Sequence, residues 1–372
     1  MPSGKHILTS LHTESPASPS PIRVVIADDS RFMRKALRLL MQDDPEIEVV
    51  GVATDGRECL QLVESLHPDV LTLDLNMPLM NGVAVLKILN RESPLPVIMI
   101  SSLTVEGAET TLEALELGAV DYIAKQLTPK SLDIDVFKTE LVGKVKWAVQ
   151  KYRGKRNPTT SVGRLNLNGT PVSRTRILRR REQAASPVEI VGIGASTGGP
   201  VALQRTIPML PRDFPAPVIV AQHIPLQFSA SLVHRLSLKS ELTVKLASPD
   251  ERLEPGTVLV APGGTHLEIT SRHRIRLFPD DAGGLTCPSA NRLLSSMADV
   301  FGPATLAVIL TGMGNDGLEG ARKVQDRGGQ VLVQDESTCM ACSMPVSVVD
   351  QGLADRQAPL DLIASEILRM LG

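Results

Sequence analysis

Three residues carry the clearest chemical signal in this chain, two of them in glycine-rich turns. They are Ser196 in Gly192-Ile-Gly-Ala-Ser-Thr-Gly-Gly-Pro200, His223 in Gln222-His-Ile-Pro225, and Asp316 in Thr311-Gly-Met-Gly-Asn-Asp-Gly317. A hydroxyl, an imidazole and a carboxylate on one rim suit acyl transfer. The imidazole accepts the hydroxyl proton, and the carboxylate orients the imidazole and stabilises its charged form. Ser196 follows a short apolar run, Glu189–Ile193, and precedes a helix start at Gly199–Pro200, where backbone N–H groups face any negative charge in front of the helix. Taken alone, Ser196 reads equally as a helix N-cap. His234 and His266 compete for the base role, but His234 falls inside a helical segment and His266 at the start of a hairpin. A second group lies earlier in the chain. Asp28, Asp29 and Asp74 would repel one another unless a cation neutralised them, and hard oxygen ligands suit Mg²⁺. Ser101 and Lys125 add a hydroxyl and an ammonium able to hold phosphoryl oxygens.

These residues need a scaffold that brings strand ends together. From Arg23 to about Tyr152, apolar runs at Val24–Ala27, Ile47–Ala53, Val70–Leu73, Val97–Ile100 and Tyr122–Ala124 alternate with helical segments. Five such units predict a doubly wound, flavodoxin-like five-stranded parallel sheet, with ligands at the carboxyl ends of its strands. Asp28 and Asp29 follow its first strand, Asp74 its third, Ser101 its fourth and Lys125 its fifth. Alternation returns past Pro187, with strands predicted at Ala216–Ala221, Thr243–Leu246, Val258–Val260, Leu306–Leu310 and Gln330–Val333. A hairpin is predicted over His266–Thr270 and Ile275–Phe278. This half reads as a second doubly wound α/β domain with a mainly parallel sheet. Ser196, His223 and Asp316 then follow three strand ends on one rim. The implied organisation is a disordered extension over 1–21, a first domain over 22–150, a flexible basic linker over 151–187 and a second domain over 188–372.

Composition narrows the class. The 372 residues are 42% apolar and 22% charged, with a net charge of −2, which suits a globular protein of two domains. No apolar run is long enough to span a membrane, and the N-terminus lacks the apolar core of a signal peptide, so a cytoplasmic protein without membrane insertion is expected. Only 2% of residues are aromatic, which argues against a nucleic-acid surface. Four cysteines form no secreted-type framework, and the Cys339-x-x-Cys342 pair has no partner pair at ligand spacing.

Asp28-Asp29-Ser30, Leu71-Thr-Leu-Asp74-Leu-Asn-Met-Pro78, Ser101 and Asp121-Tyr122-x-x-Lys125 resemble a response-regulator receiver domain. The resemblance implies that Asp74 accepts a phosphoryl group, that Asp28, Asp29 and Asp74 hold Mg²⁺, that Ser101 and Lys125 contact the phosphoryl group, and that Tyr122 is an aromatic switch. The serine, histidine and aspartate motifs together resemble the chemotaxis protein-glutamate methylesterase (CheB) family, in which a receiver precedes the catalytic domain. That resemblance implies Ser196 as nucleophile, His223 as base and acid, Asp316 as orienting carboxylate, and backbone oxyanion donors near Thr197 and Met313. No cofactor is implied in the esterase domain. The implied reactions are demethylation of glutamate methyl esters and deamidation of certain glutamines on chemoreceptors. A chemotaxis histidine kinase is the implied phosphodonor, and the unphosphorylated receiver is expected to restrict the esterase cleft. Two positions depart from the family patterns. Gln126 follows Lys125 where receivers usually have a cis proline, and a cis peptide there would cost about 2.5–4 kcal/mol. Ser343 stands where the family usually has glycine. A homologue serving a non-flagellar chemosensory pathway is one alternative. A receiver with a DNA-binding output is another, supported only by the basic linker.

Overall fold

The computed structural model of the chain describes residues 20–125, 134–156, 175–178, 186–279 and 287–371. The expected N-terminal extension up to residue 19, the central linker residues and Gln126 lie outside them.

Five strands build the first sheet: β1 (Ile22–Ala27), β2 (Ile47–Ala53), β3 (Val70–Asp74), β4 (Val97–Ser101) and β5 (Asp121–Ala124). They alternate with α1 (Arg31–Gln42), α2 (Gly56–Leu66), α3 (Gly82–Glu92), α4 (Val105–Glu116) and α5 (Ile134–Arg156). All pairings are parallel, in the order β2-β1-β3-β4-β5. Strands β3 to β5 are buried at every position, as a sheet covered by helices on both faces requires. Caps mark the helix starts. The Ser30, Asp55, Asn81 and Thr104 side chains each accept a first-turn N–H.

The second sheet has eight strands. β6 (Arg176–Ile177) is followed by β7 (Ile190–Ala195), α6 (Gly199–Thr206), β8 (Val218–Gln222), α7 (Leu226–Lys239), β9 (Thr243–Leu246) and β10 (Thr257–Val260). The hairpin β11 (Thr265–Ile269) and β12 (Ile275–Pro279) stands apart as its own sheet. Then come α8 (Ala290–Phe301), β13 (Thr305–Ile309), α9 (Leu318–Asp326), β14 (Gln330–Gln334), α10 (Ser343–Asp350), β15 (Arg356–Ala358) and α11 (Leu360–Leu371). The order is β6-β15-β14-β13-β7-β8-β10-β9, antiparallel only at β6. The chain winds outward from β7 to β8 in one direction and from β13 to β14 in the other. The crevice beyond β7 and β13 is therefore the topological switch point, and in the first sheet the equivalent place lies between β1 and β3.

Two glycines set the register of layers around β7. A Cβ on Gly192 would lie 2.6 Å from the Met297 sulfur, and one on Gly194 would lie 2.7 Å from the Ala290 Cβ. Helix α8 thus packs directly on the strand, and its N-terminus arrives at the switch point. The region expected to be a tether holds more structure than its composition implies. Helix α5 continues to Arg156 because its apolar face, with Val145, Ala148 and Val149, stays buried. The Tyr152 hydroxyl also donates to the Pro94 carbonyl. Farther on, β6 pairs with β15, and the Leu178 N–H donates to the Asp355 carbonyl at 2.8 Å.

Candidate active site

The ladder between β7 and β8 ends at Ala195 opposite Gln222, so Ser196 and His223 are the next residues on adjacent strands. The His223 N–H donates to the Ala195 carbonyl at 3.0 Å. Ser196 is tied to the other neighbour, its N–H donating to the Thr311 carbonyl at 3.0 Å. The turn that follows needs glycine: Gly198 sits at φ 75°, where a Cβ would meet the Met340 Cβ at 2.3 Å. Ser196 is half-buried, and its hydroxyl makes no hydrogen bond among the described residues.

His223 Nε2 lies 2.8 Å from Asp316 Oδ2, which leaves Nδ1 as the nitrogen able to take a serine proton. Asp316 is buried, and the protein spends four further donors on it. The Ala290 and Asn291 N–H groups of the α8 N-terminus approach at 2.7 and 2.9 Å, the Ser289 hydroxyl at 2.9 Å and the Gly317 N–H at 3.1 Å. Burial opposes the charge, yet the His223 bond and the helix amides hold the Asp316 carboxyl below its ordinary range. Asn291 braces the loop by accepting the Gly317 and Gly320 N–H groups. His266, the rival base, sits behind this arrangement. It is buried, and its Nδ1 accepts the Ser289 N–H at 3.2 Å.

The loop after β13 backs onto the nucleophile. A Cβ on Gly312 would lie 2.8 Å from the Ser196 Cβ. The Thr311 hydroxyl donates toward the Thr197 and Ala341 carbonyls and accepts the Ala341 N–H. Among the described residues, neither the Thr197 nor the Met313 N–H has a hydrogen-bond partner in the protein, leaving both able to serve an oxyanion. Ser343 bridges the two sides of Met313, donating to the Gly312 carbonyl at 3.2 Å and accepting the Gly314 N–H at 3.1 Å. The neighbouring Cys339 is buried, which pushes its thiol well above the ordinary range.

At the other switch point, carboxylate oxygens of Asp28, Asp29 and Asp74 lie within 4.8 Å of one another. Asp28 and Asp74 are buried and Asp29 is exposed. An all-carboxylate set of hard oxygens fits Mg²⁺. Lys125 Nζ sits 2.7 Å from Asp74 and 3.0 Å from Asp28. Burial pushes the Asp74 carboxyl up, with Lys125 opposing and Asp28 adding to the shift. The Ser101 hydroxyl is engaged by α4. It accepts from Thr111 at 2.7 Å and lies 3.2 Å from the Gly107 carbonyl.

The Tyr122 ring stacks on Phe228 of α7 at 4.7 Å and 8°, joining the two domains. Glu116 of α4 pairs with Arg235 at 3.2 Å and Lys239 at 3.0 Å. On α5, a Cβ at Gly143 would reach the Met313 methyl at 3.4 Å. The aromatic stack contributes about 0.5–1.5 kcal/mol beyond burial, whereas part-exposed ion pairs contribute about 0–1. The contact therefore centres on Tyr122 and Phe228, and it was invisible in the sequence because the two rings lie far apart in the chain.

Comparison with known proteins agrees with this architecture. Residues 191–367 match the family described as CheB methylesterase, and residues 24–136 match the response regulator receiver domain. A relative from Nitratidesulfovibrio vulgaris is 43% identical over 94% of this chain and 99% of its own length. Another from Thermotoga maritima is 40% identical over 94% of this chain and 98% of its own length. Both are named protein-glutamate methylesterase/protein-glutamine glutaminase. The crystal structure of the Thermotoga maritima CheB methylesterase catalytic domain aligns with a TM-score of 0.47 and 42% identity, covering 50% of this chain and 99% of that one.

Proposed function

Because the chain belongs to the CheB methylesterase family and carries a receiver ahead of its catalytic domain, we propose that Ser196, His223 and Asp316 hydrolyse glutamate methyl esters and deamidate glutamines on chemoreceptors. The observation that carries this reading is the buried Asp316–His223 pair at 2.8 Å beside a serine turn on the adjacent strand. Ser196 Oγ attacks the carbonyl carbon while His223 Nδ1 takes its proton. The Thr197 and Met313 N–H groups receive the oxyanion. His223 returns the proton to the ester oxygen as its bond to carbon breaks, releasing methanol, or to the amide nitrogen of a glutamine, releasing ammonia. A water, deprotonated by the same nitrogen, then releases the acyl group from Ser196. Asp316 remains ionised throughout, since five donors converge on it.

Asp74 is the phosphoacceptor in this reading, and a chemotaxis histidine kinase is the donor. Asp28, Asp29 and Asp74 would hold Mg²⁺, which would neutralise charge on the incoming phosphoryl group. Ser101 must turn from α4 to contact that group, which would leave room for Tyr122 to move off Phe228. Since α5 also abuts Met313, releasing the receiver would free both the cleft and the oxyanion loop. The extents 22–150 and 188–372 are the proposed domains, with β6 lying on the second sheet.

The test is methanol release from methylated receptor membranes, with and without a small phosphodonor and Mg²⁺. Stimulated release that disappears in Ser196→Ala is expected. Turnover by Ser196→Ala within tenfold of wild type would sink the assignment.

A further inference from the structure

We propose that Gln222 is a positioning residue that locks the nucleophile turn to the strand end carrying the base, an inference that rests on the Ser196–His223 assignment. The β7–β8 ladder stops at Ala195 and Gln222, so both catalytic residues lie one step beyond regular pairing. There the Gln222 side chain takes over. Its Nε2 donates to the Ser196 carbonyl at 2.9 Å and to the His223 carbonyl at 3.0 Å. One amide group thus ties the main chains of nucleophile and base together.

Both partners are acceptors, so the position demands a side chain that presents two N–H donors. That demand also fixes the amide's orientation, with Oε1 directed away from the two carbonyls. The space it occupies exists only because residue 199 is glycine. A Cβ there would lie 1.9 Å from Oε1. The Gly199 N–H closes the same turn by donating to the Ser196 carbonyl at 2.8 Å. Gln222 is 1% exposed, so bulk water has no route to replace its donors. Nucleophile and base must be held to within a fraction of an ångström, and a displacement of about 1 Å can cost about a hundredfold in rate.

The experiment follows the rate at which a fluorophosphonate labels Ser196 in the full-length chain, treated with a small phosphodonor and Mg²⁺. Peptide mass spectrometry locates the label, and ester hydrolysis is measured in parallel. Gln222→Met keeps the length and removes both donors. Gln222→Glu keeps the shape and places acceptors where donors stood. Labelling slowed about tenfold to a hundredfold, with kcat lowered and KM unchanged at a temperature where the variant remains folded, is the expected result. Where Gln222→Glu does not fold, Gln222→Met carries the test, because it buries no charge. Labelling of Gln222→Met at the wild-type rate would overturn the positioning role while leaving the triad intact. A wild-type label found away from Ser196 would overturn the triad and this inference with it.

Discussion

The two domains place their chemistry at the same topological point and then treat an aspartate in opposite ways. In the receiver, Asp74 is the last residue of β3 and faces two other acids, and burial lifts its carboxyl above the ordinary range. In the esterase domain, Asp316 stands beyond the end of β13 and meets the N-terminus of α8, and its carboxyl is held below that range. Burial penalises both charges. The difference is made by what faces them: one lysine and a long Asn76 N–H contact against crowded acids in the first case, and five directed donors in the second. In the proposed roles, an aspartate left short of donors binds a cation and accepts a phosphoryl group. One saturated with donors stays an anion and orients a histidine.

The most severe way to break this comparison is Asp316→Asn. The amide cannot hold the histidine tautomer or satisfy the helix amides as a carboxylate does. A loss in kcat of about a hundredfold to ten-thousandfold is expected, measured as methanol release. Activity within threefold of wild type would show that the five donors serve the fold alone. Next in size is Asp74→Asn, which should abolish the increase in esterase rate that a phosphodonor produces. A retained increase would place the phosphoacceptor elsewhere. The contact between domains offers a milder test. Phe228→Leu, which removes the ring but keeps an apolar side chain at this fully buried position, should raise the unphosphorylated rate several-fold, since the removed stack is worth about 1 kcal/mol. Glu116→Gln should do so less, because its ion pairs are partly exposed. The reverse ranking would move the weight of the contact to its charged rim.

The smallest expected effect concerns stability. The folded-state pKa of Asp74 is raised, so ionising it opposes folding. That cost is absent below the ordinary carboxylate pKa and grows as pH rises toward the raised folded value. Asp74→Asn should therefore raise the thermal midpoint of the chain at neutral pH and lose that advantage in acid. For Asp316 the sign is opposite. Its contribution is present above the ordinary carboxylate pKa and lost as pH falls through the depressed folded value. Thermal midpoints of both variants across pH would show whether the two aspartates diverge.

Most of the scaffold could be read from local pattern. Apolar runs marked the central strands of both sheets, because a strand covered on both faces is apolar nearly throughout, and glycine turns flagged Ser196 and Asp316. Short or irregular pieces escaped. The strand β15 has three residues, Arg-Gln-Ala, with no alternation to read, and β6 is an exposed edge recognisable only by its pairing. The chain alone also determined which residue types reach each rim, since each follows the end of a predicted strand. Tertiary structure decided what those residues meet. Gly192 and Gly194 admit α8 against β7, which delivers the helix amides to Asp316. The turn of Gln222 across two strand ends and the stacking of Tyr122 on Phe228 depend on neighbours brought together by packing. Periodicity records which face of an element is buried. It cannot record which distant group is waiting there, because that follows from how the layers close around the sheet.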